Sequence, residues 1–211
     1  MKVVMFGAGF VGNALVRELA ARRYEVTAVS RHPRTSLPAG VATVVGSVHD
    51  PVFLKEVTSG AGVIVSALPA IGGDGGLGAG VAALLRSAEA IGSRFGVVGG
   101  SAILPVVEGG PRQADTPDFP AWLVPRVEAH SAALDILNSA PGSVDWFYLV
   151  PAADFGPHHP GVRTGSYRTS TTAQVTNDEG RSVIGVEDYA IAFADEIDNP
   201  STHRAWLAVG Y

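Results

Sequence analysis

Cysteine is absent from the 211-residue chain, which excludes disulfides, thiolate nucleophiles and zinc sites built on cysteine. Charged residues make up only 17% of the sequence and the net charge is −5 at pH 7, so neither a nucleic acid nor an anionic membrane is the expected partner. No apolar run approaches the ~18 residues of a membrane-spanning helix. The chain starts on an expected core strand rather than a signal peptide. We expect a cytoplasmic monomer or homodimer that binds a small molecule.

Apolar residues form 46% of the sequence, enough to build the core of one domain over residues 1–211. Strand-like apolar runs alternate with helical spacing, which predicts a Rossmann-like α/β fold: a doubly wound parallel sheet with helices on both faces. Predicted strands cover residues 3–6, 25–30, 41–45, 62–68, 95–100, 144–150 and 205–209. Predicted helices cover residues 13–23, 51–60, 79–91, 124–139 and 186–197.

Other stretches are less regular. Residues 101–120 contain four prolines and are predicted as a long loop. Residues 165–169 and 173–176 alternate in polarity, which predicts short edge strands or a hairpin. The C-terminal quarter, residues 151–211, is too small to bury its own core, so we expect it to supply lid segments on the substrate side of the sheet.

A glycine motif follows the first strand directly, as Gly7-Ala8-Gly9-Phe10-Val11-Gly12. In dinucleotide-binding folds Gly7 permits the tight turn, Gly9 lets the backbone approach a pyrophosphate, and Gly12 allows close packing of helix on strand. The N-terminal amides and the dipole of the following helix, predicted from residue 13, would face the anion, and Phe10 and Val11 would hold the pyrophosphate together with the glycines. A glycine cluster can also be an ordinary turn, but a strand precedes this one and a helix and a second strand follow it. The motif predicts a bound dinucleotide.

The end of the second strand indicates which dinucleotide is bound. Folds that prefer NAD usually carry an acid there, on the ribose 2′-hydroxyl. This chain has Ser30, Arg31 and, three residues on, Arg34. A serine can donate a hydrogen bond to a 2′-phosphate and arginine can pair with it. The alternative is that both arginines are solvated surface charges. We predict NADP as the cofactor, with NADPH preferred over NADH.

Ligands in such sheets bind at the carboxyl ends of the strands. Ser47 and Val48 would therefore lie along the adenine, and Ser66, Ala67 and Leu68 beside the second ribose. For Ala67 and Leu68, a place in the core is an equally good interpretation.

Two side chains are candidates for the acceptor end. Ser101 follows the fifth strand and can polarise a substrate carbonyl, or cap its own loop. His130 lies on the next helix and suits a general acid or a donor to a flavin carbonyl, although a lone helical histidine is more often structural. The adjacent His158 and His159 lie on a loop that could cap a substrate. They would point to different sides, so no metal site is predicted.

One catalytic pair is missing. Short-chain dehydrogenases use Tyr-x-x-x-Lys as an acid/base pair, but the only lysines here are Lys2 and Lys55, and neither follows a tyrosine by four residues. Alcohol dehydrogenation by that route is therefore not expected.

Over nearly its whole length the chain resembles the atypical short-chain dehydrogenases of the NAD(P)H-binding, NmrA-like group, and within it bacterial proteins described as NADH-flavin reductases. The resemblance is carried by residues 2–12, 25–33, 115–120, 165–168, 186–190 and 209–211. The glycine motif is one residue shorter than the GATGxxG usual in that group. The group is also similar to biliverdin-IXβ/flavin reductases, in which a serine and a histidine matching Ser101 and His130 line the substrate pocket.

The resemblance implies an oxidoreductase that transfers hydride from NADPH to a flavin such as FMN, or to another flat conjugated acceptor, with residues 72–78 as a candidate lid. Two alternatives stay open. An NmrA-like redox sensor would bind the dinucleotide without turning it over. An epimerase or dehydratase is weakened by the missing Tyr-x-x-x-Lys and by the small C-terminal region.

Overall fold

A sheet of eight strands forms the centre of the computed structural model, which describes residues 1–33, 37–72 and 76–211. The strands are β1 (Lys2–Phe6), β2 (Glu25–Ser30), β3 (Ala42–Val45), β4 (Val63–Ser66), β5 (Arg94–Val98), β6 (Trp146–Val150), β7 (Arg168–Ser170) and β8 (Ala205–Gly210). Their order is β3-β2-β1-β4-β5-β6-β8-β7, and every neighbouring pair is parallel except β7 with β8. The predicted Rossmann-like α/β fold is confirmed.

Within the described residues, five helices cover the two faces of this sheet. On one face lie α1 (Phe10–Ala21) and α5 (Val186–Asp198), and on the other lie α2 (Pro51–Val57), α3 (Gly76–Ile91) and α4 (Val124–Asn138). Three 3-10 turns punctuate the long loop and the approach to α4: Ser101–Ile103, Gln113–Asp115 and Ala121–Leu123. No helix in the described residues is long and apolar enough to cross a membrane. The cytoplasmic location stays a prediction.

The alternation of side chains along β1 explains why the protein has two hydrophobic cores, one on each face of the sheet. Val3 and Met5 belong to the core under α1 and α5, whereas Val4 and Phe6 belong to the core under α3 and α4. All four are at most 1% exposed. A strand that is apolar on both faces must be covered on both, which is why the sequence shows a continuous apolar run at this point.

Ion pairs fix α1 against α5. The guanidinium of Arg22 lies 2.6 Å from Asp195 and 2.5 Å from Asp198. In the same network, Arg163 lies 2.8 Å from the buried Glu18, which also pairs with Arg22 at 2.8 Å. These contacts hold in place the helix whose first turn carries the glycine motif.

The C-terminal quarter agrees with its prediction in part. A short edge strand forms as predicted, because β7 is the last strand of the sheet and pairs with β8. Residues 173–176 form no strand. The strand β8 extends the parallel sheet beyond β6 and α5 completes a helical layer, so most of this quarter belongs to the body of the fold. Of residues 151–211, only those between 151 and 157 border the cleft described below.

The glycine-rich candidate lid also differs in part. Residues 73–75 lie outside the described residues, but Gly76, Leu77 and Gly78 form the first turn of α3, with Leu77 buried. Helix α3 therefore begins three residues before its predicted start.

Candidate functional site

The glycine motif forms the turn between β1 and α1. Gly7 has φ +101°, a conformation that suits glycine, and a Cβ there would meet the carbonyl oxygen of Ala67 at 2.3 Å. A Cβ on Gly12 would lie 1.9 Å from the carbonyl oxygen of Gly7. Gly9, by contrast, has no atom within 4 Å of where a Cβ would be. The turn is thus closed on its inner side and open at Gly9.

Gly9 is the N-cap of α1, and its carbonyl accepts the amide of Asn13 at 2.9 Å. The amides of Phe10, Val11 and Gly12, in the first turn of the helix, therefore have no partner within it. They lie at the positive end of the helix dipole, where an anion is stabilised. This is the geometry of a phosphate grip.

A cleft of about 700 Å³ runs from this turn along the carboxyl ends of the parallel strands. Most of the residues predicted from the sequence to bind a ligand border it. They are Gly7, Gly9, Phe10, Val11, Gly12, Ser30, Arg31, Ser47, Val48, Ala67, Leu68, Ser101 and His130. The sheet topology therefore brings the predicted cofactor residues and the predicted acceptor residues into one continuous cavity.

One predicted residue is not part of this lining, and another cannot be compared with it. Ser66 ends β4 within the sheet, is 1% exposed and does not border the cleft. The prediction that it lies beside a ribose is wrong, because alternation along β4 turns Ser66 to the same face as Ile64, into the core under α3. Arg34 lies outside the described residues, so its predicted role stays a prediction.

At the β2 end of the cleft, the hydroxyl of Ser30 donates to the carbonyl oxygen of His32 at 2.6 Å. Its one hydrogen is thus engaged, and Ser30 is not the predicted phosphate donor in this conformation. Arg31 is exposed and borders the cleft, as do His32 and His49, which the sequence reasoning missed. Ser47 turns its hydroxyl oxygen toward the amide of His49 at 3.2 Å. The basic side chains, rather than the serine, face this end of the cleft.

At the other end, Ser101 opens a 3-10 turn that is separated from β5 by Gly99 and Gly100. Its carbonyl oxygen accepts a hydrogen bond from the side-chain amide of Gln174 at 2.9 Å. Its hydroxyl makes no hydrogen bond within the described residues and borders the cleft. The alternative that this hydroxyl caps its own loop is therefore not seen, and the group is available to a ligand.

His130 packs directly over the end of β5. A Cβ added to Gly100 would lie 2.5 Å from the imidazole ring, so only glycine leaves room for this histidine. The imidazole Nδ1 lies 2.7 Å from the phenol oxygen of Tyr148 on β6. Tyr148 is fully buried and is a member of the site that the sequence reasoning missed. Its signal in the sequence is weak, because any buried strand can carry a tyrosine.

The hydrogen bond of Tyr148 determines the tautomer of His130. Burial raises the pKa of the Tyr148 phenol. Within the described residues the phenol oxygen has no other hydrogen-bond partner than Nδ1 of His130, so the buried phenol hydrogen is donated to Nδ1. The hydrogen of the neutral imidazole is then on Nε2.

Burial also keeps this imidazole neutral. It lowers the pKa of His130 to about 4, with a smaller contribution from the charge of Arg126. At neutral pH His130 is therefore a hydrogen-bond donor through Nε2 and a poor source of a proton. Of the two roles that the sequence allowed, the geometry favours the donor.

His158 and His159 do not diverge as predicted. His158 lies 3.0 Å and His159 3.4 Å from the same carboxylate, that of Asp154. All three side chains are well exposed, and neither histidine borders the cleft. Within the described ranges no group of three or more potential ligands could hold a metal ion. The cluster orders the loop after β6.

Sequence comparison decides the family. The profile of the NAD(P)H-binding family matches residues 7–196. The chain belongs to the NAD(P)H-binding family. The matched range begins at the glycine motif and takes in every residue that borders the cleft except Phe6.

Three similar proteins each match 95% or more of this chain. YwnB of Bacillus subtilis, described as uncharacterized, is 34% identical over 206 residues, which are 95% of this chain and 93% of YwnB. A proposed NADH-flavin reductase from Streptococcus pneumoniae is 29% identical, with a TM-score of 0.88 over 100% of this chain and 99% of its own. A proposed epimerase from Bacteroides thetaiotaomicron is 34% identical, with a TM-score of 0.88 over 100% and 96%.

The described residues fit the dinucleotide that the family name implies. The open position at Gly9 allows a phosphate to approach the backbone, and the free amides of Phe10 to Gly12 supply its hydrogen bonds. No aspartate or glutamate is among the described residues that border the cleft, so nothing there repels a polyanion.

Proposed function

We propose that the protein is an NADPH-dependent reductase that transfers hydride to a flavin or a similar flat conjugated acceptor. The observation that carries the proposal is the neutral His130, held as an Nε2–H donor at the far end of the cleft that begins at the phosphate grip. The name of the Streptococcus pneumoniae relative agrees with it.

On this proposal, the amides of Phe10, Val11 and Gly12 bind the pyrophosphate. Arg31, with Arg34, binds the 2′-phosphate, which gives the preference for NADPH over NADH. The side chain of Val48 lies against the adenine. When bound, NADPH supplies a hydride, which with one solvent proton reduces the acceptor by two electrons and leaves NADP⁺.

The residues at the acceptor end stabilise charge rather than move a proton. His130 donates from Nε2 to a carbonyl oxygen of the acceptor, where negative charge accumulates during reduction. The free hydroxyl of Ser101 provides a second donor on the same side of the cleft. A reductase that relies on orientation and on such donors has no need of the tyrosine–lysine pair that this sequence lacks.

Anaerobic oxidation of NADPH by FMN tests the proposal. With the purified protein, we expect loss of NADPH absorbance matched one-to-one by bleaching of the flavin, at a rate well above that of the protein-free mixture. A Gly12→Ala variant, in which the added Cβ collides with the carbonyl of Gly7, serves as the control without a working grip.

Binding of NADPH without oxidation by FMN, riboflavin or quinones would overturn the proposal. That outcome would favour the redox sensor, which binds a dinucleotide and turns nothing over.

A further inference from the structure

The charged side chains that border the cleft are all basic, although the chain as a whole carries a net charge of −5. Among the described lining residues they are Arg31 and Arg126, and no carboxylate accompanies them. Arg31 lies at the cofactor end, where the proposed function gives it the 2′-phosphate of NADPH to bind. Arg126 lies at the acceptor end, and the proposed function gives it no group to bind.

The position of Arg126 relates it to the acceptor rather than to the cofactor. It precedes His130 by four residues on α4, so the two side chains share one face of the helix about 6 Å apart along its axis. Both border the cleft, and the charge of Arg126 acts on the His130 imidazole. Arg126 makes no ion pair or hydrogen bond within the described residues.

An arginine without a carboxylate partner, beside a cleft without acids, attracts an anion from solution. Its guanidinium matches the geometry of a phosphate or a carboxylate and can bind either with two hydrogen bonds. We propose that Arg126 binds an anionic group of the acceptor, so that the preferred substrates are flat conjugated acceptors that carry a phosphate or a carboxylate. This inference rests on the proposed reductase function and narrows its substrate class.

FMN and riboflavin form the natural pair of probes, because they share one isoalloxazine ring and differ by the phosphate. Arg126 is exposed, so solvent and salt weaken its attraction, and we expect a preference for FMN of about tenfold rather than a thousandfold. The same preference should fall as the ionic strength rises.

Two readouts separate this inference from the proposed function. The first is the KM for each flavin in anaerobic NADPH oxidation. The second is the dissociation constant of each flavin for the NADP⁺-loaded protein, followed by quenching of flavin fluorescence, which requires no turnover. Both are measured for the wild type, Arg126→Gln, Arg126→Lys and Arg86→Gln. Arg86 is an exposed arginine on α3 that does not border the cleft, so it controls for net charge.

We expect FMN to be favoured about tenfold over riboflavin in the wild type and in Arg86→Gln. The preference should be lost in Arg126→Gln and partly kept in Arg126→Lys, whose single point charge cannot bind in bidentate fashion. Equal affinity for the two flavins in the wild type, an unchanged preference in Arg126→Gln, or no binding of either flavin would each overturn the inference. Tighter binding of FMN without turnover would support the anion site and reject the reductase.

Discussion

Replacing Tyr148 by phenylalanine removes one oxygen atom from the core and, with it, the hydrogen bond that sets the state of His130. The phenol donates to Nδ1 of His130 at 2.7 Å. Tyr148 is fully buried, so no water replaces the lost partner. Leaving a buried polar group unsatisfied costs about 1–3 kcal/mol. We expect the free energy of unfolding to fall by about 1–3 kcal/mol.

The second effect is on the tautomer. A hydrogen bond of about 1–1.5 kcal/mol biases the imidazole toward the Nε2–H form by roughly tenfold. Without it, the Nδ1–H form becomes comparably populated, and the donor that faces the acceptor is lost in part of the molecules. Because the Nε2–H population falls from roughly nine tenths to about half, we expect an about twofold lower turnover number for flavin reduction in Tyr148→Phe, together with the change in tautomer.

The assay is ¹⁵N NMR of protein labelled at the histidine ring nitrogens, in which protonated and unprotonated nitrogens have well-separated shifts. Tyr189→Phe is the matched control. Tyr189 is also fully buried and donates one hydrogen bond, to the carbonyl of Leu149 at 2.9 Å, but it does not border the cleft. The Tyr189→Phe variant should have a lower free energy of unfolding but an unchanged tautomer of His130. An Nδ1–H tautomer in the wild type, or an unchanged Nε2–H population in Tyr148→Phe, would show that Tyr148 does not set the tautomer of His130.

Three further predictions concern the grip, the cofactor preference and the pH dependence. Gly12→Ala should lower the free energy of unfolding by about 2–4 kcal/mol and abolish NADPH binding, because its Cβ would lie 1.9 Å from the carbonyl oxygen of Gly7. Gly9→Ala should change the free energy of unfolding by less than about 1 kcal/mol yet weaken NADPH binding. Urea unfolding measures the stability of the two glycine variants and calorimetric titration measures their binding of NADPH. Equal losses of stability in Gly9→Ala and Gly12→Ala would contradict the different roles given to the two glycines. Arg31→Ala should weaken NADPH binding about tenfold and leave NADH binding unchanged, and an unchanged ratio of the two dissociation constants would assign Arg31 to the solvated surface. The pKa of His130 is about 4 in the folded protein and ordinarily 6.5, so the unfolded chain binds a proton in this interval that the folded chain does not. Stability should therefore fall, by at most about 3 kcal/mol, as the pH drops from 6.5 toward 4. Urea midpoints for the wild type and His130→Gln measure this loss, which should be absent from the variant.

The grip was predictable because its signals are local. Gly7, Gly9 and Gly12 are fixed by spacing within six residues, between an apolar run and a helical pattern. The same holds for the parallel sheet, since runs such as residues 63–66 must be covered on both faces.

The state of His130 was not predictable in the same way. It depends on Gly100 after β5 and Tyr148 on β6, which meet only because these strands are neighbours in the sheet. Nothing in the spacing of three residues from three elements encodes a tautomer. The burial that lowers the pKa is likewise a property of the packed protein.

The predictions for Ser66, Ser30 and residues 173–176 were wrong for other reasons. Ser66 and Ala67 are adjacent, yet only Ala67 borders the cleft, because one step along a strand reverses the direction of the side chain. Ser30 lies where predicted, but its hydroxyl turned to the backbone of His32, a local competition that serines often enter. The alternating residues 173–176 have strand-like polarity, but the amide of Gln174 donates to the carbonyl of Pro105 in the loop after β5 rather than to a strand.

The most direct test of the central claim is the stereochemistry of hydride transfer from NADPH that carries deuterium on one or the other face of the nicotinamide C4. Free NADPH and flavin react in solution without a fixed orientation. If the cleft holds the cofactor by its phosphate grip and presents one face to the acceptor, deuterium is lost from one of the two labelled forms and retained in the other. Equal loss from both forms, at the rate of the protein-free mixture, would contradict the account.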